Sequence, residues 1–260
     1  MTTGSTWIFL RGLTRESRHW GDFPAIFRRC FPEARICTPD LPGNGALNAL
    51  ESPLRVEEMA EDLRARLLAQ GVPPPYRLLA MSLGAMVAVA WAARHPEEIL
   101  GCVLINTSLR PFSPFYRRLR PGHYPRLLRL ALLGGSDEVW ERTIFGLTSR
   151  QVSSDKVLKD WLAIRRERPV SARNALRQLV AAARYRAPLA PPRTPILILN
   201  SRQDALVDAS CSRALAARWH AEYTEFAEHP LAGHDLPLDD GEWVAREVQR
   251  WCSTPASPAA

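Results

Sequence analysis

A single hydroxyl stands out by its setting. In the run Leu79-Ala80-Met81-Ser82-Leu83-Gly84, Ser82 lies between small residues two positions away on either side. An apolar stretch, Tyr76–Met81, leads into it, and an Ala-rich helical pattern from Leu83 to about Arg94 leads away. Strand, sharp turn and helix are the expected reading, with Ser82 at the tip of the turn. So tight a turn strains its central residue, and the neighbours two positions away need little or no side chain. A Ser so placed has its Oγ clear of the sheet and the unpaired N–H groups of a helix N-terminus behind it. That combination suits nucleophilic attack on a carbonyl. The plainer reading is a Ser that only caps the helix.

A Ser nucleophile needs a base to take its proton and an acid to orient that base. Both are present further along. Pro195-Ile196-Leu197-Ile198-Leu199-Asn200 reads as a buried parallel strand, and Asp204 falls in the loop after it. Asp208 is the alternative acid, although it is better placed to cap a helix over Ala209–Trp219. Glu222–Phe226 reads as a last short strand, followed by the loop Leu231-Ala232-Gly233-His234-Asp235. The other histidines (His19, His95, His123, His220, His229) fall on predicted helices or irregular segments. Ser82, Asp204 and His234 are thus expected at one edge of one parallel sheet, where open α/β folds hold ligands.

These segments together resemble the α/β-hydrolase superfamily, in which a small-x-Ser-x-Gly elbow is followed along the chain by the acid and then the His. More narrowly, the chain is similar to the small capped carboxylesterases, the group that includes the pimeloyl-carrier-protein methyl ester esterases. Asp40-Leu41-Pro42-Gly43-Asn44-Gly45 resembles the Asp-Leu-Pro-Gly-His-Gly loop after the second strand, with Asn44 in place of His. Gly101-Cys102-Val103-Leu104-Ile105-Asn106 and Gly233-His234-Asp235 match further family segments. The resemblance implies a serine nucleophile at Ser82, a general base at His234 and an orienting acid at Asp204. It implies an oxyanion hole from the backbone N–H groups of Leu83 and Leu13. Where the family has His-Gly-x after the first strand, this chain has Arg11-Gly12-Leu13. Arg11 is expected either to pack beneath that loop or to meet a carboxylate or phosphate of the substrate.

The elements that must carry these residues alternate strand and helix. Strands are expected at Trp7–Arg11, Arg35–Thr38, Tyr76–Met81, Cys102–Asn106, Ile196–Leu199 and Glu222–Phe226, giving a mainly parallel six-stranded sheet. Only a few residues precede the first strand, so the two antiparallel strands that lead larger members are expected to be missing. The helix Val56–Gln70 places Val56, Met59, Leu63 and Leu67 on one apolar stripe. A closing helix near Asp240–Cys252 has a capping-box-like start in Asp239 and Glu242. Residues 110–190 break the alternation and read as four helices, about 114–132, 136–147, 154–167 and 171–185. The expected organisation is an α/β-hydrolase core over 1–109 and 191–252, a helical cap over 110–190 and a flexible tail over 253–260. Trp140, Phe145 and Trp161 are candidate lining residues for a substrate pocket under that cap.

The charge is uneven. Residues 110–190 hold 17 Lys or Arg against 6 Asp or Glu, within a chain of net charge +7. A basic cap suits an anionic substrate such as an acyl-carrier protein, a coenzyme A ester or a dicarboxylate monoester, or an anionic lipid surface. Only Lys156 and Lys159 are lysines, so a general bias towards Arg accounts for the pattern equally well. No strip of basic and aromatic residues suggests nucleic acid. The five cysteines show no metal-ligand spacing, and neither a signal peptide nor a transmembrane run is visible. No metal and no cofactor are expected, the compartment is expected to be the cytoplasm, and the oligomeric state is left open. The expected chemistry is ester hydrolysis through an acyl-enzyme. Thioester hydrolysis, carbon–carbon bond hydrolysis and ligand binding with little turnover are the alternatives on the same residues.

Overall fold

A computed structural model describes residues 5–123, 125, 129, 135–150, 154–220 and 224–253. Its centre is a six-stranded sheet in the order β2-β1-β3-β4-β5-β6, made of β1 (Thr6–Leu10), β2 (Arg35–Cys37), β3 (Tyr76–Met81), β4 (Ile99–Ile105), β5 (Ile196–Ser201) and β6 (Thr224–His229). Every pairing is parallel. Between them lie α1 (Phe23–Cys30), α2 (Val56–Ala69), α3 (Leu83–Arg94) and α8 (Ser210–Arg218). The chain ends in a short α9 (Leu236–Asp239) and a longer α10 (Gly241–Ser253). Between β4 and β5 stand α4 (Phe115–Arg118), α5 (Asp137–Thr148), α6 (Ser154–Glu167) and α7 (Ala172–Arg184).

A sheet buried on both faces needs apolar side chains at successive positions, and the two-residue period sorts them. Ile8, Leu10, Leu78, Ala80, Cys102, Leu104, Ile196 and Ile198 face α2, α3 and α8. Trp7, Phe9, Leu79, Met81, Val103, Ile105, Leu197 and Leu199 face α1 and α10. The stripe Val56, Met59, Leu63 and Leu67 is buried in the first of these layers. On the second, Phe27 packs edge-on against Trp7 at 4.9 Å and Phe9 at 5.1 Å. Truncating one such side chain to Ala costs about 2–5 kcal/mol.

Two expectations change. The helix over 114–132 is broken: its backbone leaves helical geometry at Leu119 and turns through Pro121–His123. Pro121 disfavours helical backbone at Arg120 and removes a donor, so the apolar period continues where the helix cannot. Most of the remaining span of that helix lies outside the described residues, as do the start of the Glu222–Phe226 strand and residues 254–260 of the tail. The closing helix starts differently too. Asp240 Oδ1 accepts the Trp243 N–H at 2.9 Å, whereas Asp239 accepts from Gly233 and Arg150 and Glu242 pairs with Arg29. The mainly parallel six-stranded sheet expected from the sequence is observed, with every strand pairing parallel among the described residues.

The chain runs from β1 outward to β2 and then returns to lay β3 on the other side of β1. That reversal is a topological switch point, and it opens a crevice beyond the carboxyl ends of β1 and β3.

Candidate functional site

Ser82 stands at the carboxyl end of β3, on that crevice. Its backbone has φ 55° and ψ −116°, a left-side conformation that a non-glycine residue adopts only when its surroundings enforce it. The surroundings do so. The Ser82 N–H donates to the Ile105 carbonyl at 3.0 Å, and the Ser82 carbonyl accepts from Thr107 Oγ1 and from the first turn of α3. A Cβ on Gly84 would lie 2.5 Å from the Leu10 carbonyl oxygen and 2.7 Å from that of Arg11. Glycine there lets α3 close against the end of β1. Across the crevice, a Cβ on Gly12 would lie 3.1 Å from Ser82 Cβ and 3.6 Å from its Oγ. The loop after β1 therefore lies directly beside the hydroxyl.

Asp204 and His234 meet, though 30 residues apart in sequence. Asp204 Oδ1 accepts the N–H groups of Leu206 and Val207 at 2.8 and 2.9 Å, which turns Oδ2 towards the imidazole. His234 Nδ1 donates to that oxygen at 2.7 Å, with both residues buried. A carboxylate only accepts, so the Nδ1 proton is retained and Nε2 of the neutral ring is left with its lone pair. This is the tautomer a general base needs. Asp208 is used otherwise, accepting the Ser210 N–H and pairing with Arg120.

The His234 loop is held by residues to which the sequence pattern gave no role at the site. Asn106, one residue past β4 with φ 47°, donates through Nδ2 to the His234 carbonyl at 2.8 Å and to Ser201 Oγ at 2.9 Å. Its Oδ1 accepts the Ser201 N–H at 2.8 Å. An Asn closing a β-rich run was the one available signal. Asp239 accepts the Gly233 N–H at 2.6 Å, and burial pushes its carboxyl pKa up. His229 Nδ1 accepts the N–H groups of Leu231 and Ala232, which makes it a strut for the loop. Burial, then the charges of Arg15 and Arg11, hold His19 well below the ordinary imidazole range.

Arg11 has a partner. Its Nη1 and Nη2 reach the two carboxylate oxygens of Asp235 at 3.1 and 2.5 Å, and the guanidinium lies 4.8 Å from the Trp20 ring. Both charged residues are buried. The guanidinium is thus paired with the residue after His234. Among the described residues, the N–H groups of Leu13 and Leu83 donate to no protein acceptor. Trp161 is buried, with Arg15 at 4.1 Å over its ring and His19 and Phe145 edge-on at 5.6 Å. Trp140 is half-buried under Arg165, and Phe145 is also half-buried. These aromatic residues seat α5 and α6 on the loop that follows β1.

Ligand atoms of His95, Glu97 and Glu98 can come within 4.8 Å of one another. That group lies past the far end of α3, roughly 18 Å along the helix from Ser82. Glu98 is already taken by Arg64 and the Trp91 indole. No helix among the described residues is long and apolar enough to cross a membrane.

Comparison with known proteins finds relatives over nearly the whole chain. Over 251 residues the chain is 31% identical to a pimeloyl-[acyl-carrier protein] methyl ester esterase of Chromobacterium violaceum, covering 91% of this chain and 92% of that protein. A protein of the same name from Aeromonas hydrophila is 29% identical, covering 87% of this chain and 91% of its own length. The structure of a thermophilic esterase from Thermogutta terrifontis superposes with a TM-score of 0.76 at 21% identity, covering 99% of this chain and 92% of that one. Residues 7–247, nearly the whole chain, match the model of the alpha/beta hydrolase family, and this chain belongs to that family.

Proposed function

We propose that the protein is a serine esterase that hydrolyses carboxylic esters through an acyl-enzyme on Ser82. The observation that carries the reading is the buried Asp204–His234 pair, set in the base-competent tautomer at the sheet edge where Ser82 is presented. His234 Nε2 takes the Ser82 proton as Oγ attacks the ester carbonyl. The N–H groups of Leu83 and Leu13 receive the developing oxyanion. The tetrahedral adduct collapses, and the alcohol leaves with the proton from His234. Water, deprotonated by the same ring, then attacks the acyl-enzyme and releases the acid. Asp204 orients the ring throughout and stabilises the imidazolium.

Residues 110–190 act as a cap over this edge, and their excess of Arg selects esters whose acyl arm is attached to an anionic carrier. Arg166, Arg184 and Arg186 are exposed and have no ion pair among the described residues. The names of the two relatives, methyl ester esterases acting on a carrier-bound acyl chain, support the same class. A thioesterase on an anionic carrier is the second reading, favoured by the same basic surface. The five cysteines are all unpaired thiols, which fits a reducing cytoplasm.

Intact-mass analysis after fluorophosphonate treatment tests the reading. One adduct on the wild type, absent from Ser82→Ala and His234→Ala, is the expected result. A folded wild type that takes no adduct refutes it. Matched oxygen and sulfur esters then separate esterase from thioesterase.

A further inference from the structure

Between α7 and the loop after β1 lies a small buried polar network. Its centre is Gln178, which has no exposed surface. Gln178 Oε1 accepts the Thr14 N–H at 2.9 Å. Its Nε2 donates to Asn44 Oδ1 at 2.8 Å and to Ser52 Oγ at 3.0 Å. Asn44, also fully buried, donates through Nδ2 to the Arg15 carbonyl at 3.0 Å. The turn itself closes by a single long backbone bond, Arg15 N–H to the Gly12 carbonyl at 3.3 Å. Thr14 sits at φ 56°, which a β-branched residue leaves unless it is held there.

Two side chains hold it: Gln178 grips the Thr14 N–H, and Asn44 grips the Arg15 carbonyl. Gly12 stands on the other side, so near Ser82 that an added Cβ would lie 3.1 Å from Ser82 Cβ. Leu13 lies between Gly12 and the held Thr14, so the direction of its N–H depends on how that turn is held. Asn44 stands where the family's second-strand loop carries His, and here its amide supplies the acceptor that orients Gln178.

We propose that Gln178 is a positioning residue for the second oxyanion donor: by accepting the Thr14 N–H it holds the Gly12–Arg15 turn so that the Leu13 N–H aims at the substrate carbonyl oxygen. The proposal rests on the serine-esterase reading. It also makes that donor depend on a residue of α7, so the seating of the helical insertion and the stabilisation of the oxyanion are one event.

The test compares p-nitrophenyl butyrate with its thiono analogue, in which C=S replaces C=O. Sulfur accepts hydrogen bonds poorly, so an enzyme with both donors aimed discriminates against the thiono ester. Losing one such donor costs about 10²–10³ in rate on the oxygen ester. Gln178→Met is expected to lower kcat for the oxygen ester roughly 10–100-fold with little change in KM, and to shrink the oxygen-to-thiono ratio about tenfold. A role in stability alone reduces the fluorophosphonate-titrated active fraction and both esters together, leaving the ratio untouched. Ser52→Ala, which leaves Oε1 in place, does not alter it. If Gln178→Met does not fold, Gln178→Asn keeps the amide but falls one methylene short of Thr14, and reads the same ratio. An unchanged ratio in the Met or Asn variant overturns the proposal while the esterase reading stands. A wild type that hydrolyses neither ester and takes no label overturns the esterase reading first.

Discussion

At Asp204 the two carboxylate oxygens have different partners, and that difference makes a sharp test. Oδ1 is claimed by the N–H groups of Leu206 and Val207, so it must remain an acceptor. In Asp204→Asn the carbonyl oxygen of the new amide takes that position, and its NH2 faces His234. Nδ1 must then accept, the ring proton moves to Nε2, and the base disappears. Shape and burial hardly change. The expected outcome is a kcat lower by about 10⁴ with an unfolding midpoint close to the wild type's. Steady-state kinetics beside a thermal melt checks both. A loss of activity that tracks a loss of folded protein would instead make Asp204 a structural residue.

The elements meet the site through one buried ion pair, Arg11–Asp235, which ties the end of β1 to the loop carrying His234. Asp235 also donates its backbone N–H to the Thr148 carbonyl at 2.7 Å, which brings in the end of α5. Removing one partner strands a buried charge and costs about 3–5 kcal/mol, whereas replacing both by apolar groups is often neutral. Arg11→Met is therefore expected to lower the chemical-denaturation stability by that amount, and Arg11→Met with Asp235→Leu to recover most of it. Equal losses in the single and double variants would mean that the pair contributes nothing to the tie. The contrast also marks how far sequence reading reaches. Ser82 and Asp204 each follow a strand with a local apolar run, and His234 follows the short, more polar β6, so their expected place at one sheet edge could be read from local pattern and chain order. Arg11 was visible as a departure, but its partner lies 224 residues away. Asn44 with Gln178, and Asn106 with His234, are likewise long-range pairs that no local period encodes. The break at Leu119 was missed for a different reason: helical periodicity of apolar residues runs on past a Pro that the backbone cannot follow.

Charge acts over the whole molecule. Residues 110–190 carry 17 of the 34 basic residues and only 6 of the 27 acidic ones, so the field is dipolar, with the positive end on the insertion. Much of that charge is locally neutralised: Arg142 pairs with Glu138, Arg165 with Asp137, and Arg173 with Glu51. Among the described residues, the exposed basic side chains of this span with no ion pair include Lys159, Arg166, Arg184 and Arg186. Fields of this kind change encounter rates more than bound-state energies, and salt screens them within roughly 30 Å at 0.01 M and 3 Å at 1 M. For a methyl ester on an anionic carrier, kcat/KM is expected to fall several-fold between those salt concentrations, through KM rather than kcat. A neutral ester of the same acyl chain should show a flat profile. Replacing the three arginines with Gln should flatten the first profile and leave the second alone. If the two esters respond to salt alike, the excess Arg reflects composition, and the carrier is recognised by contact or not at all.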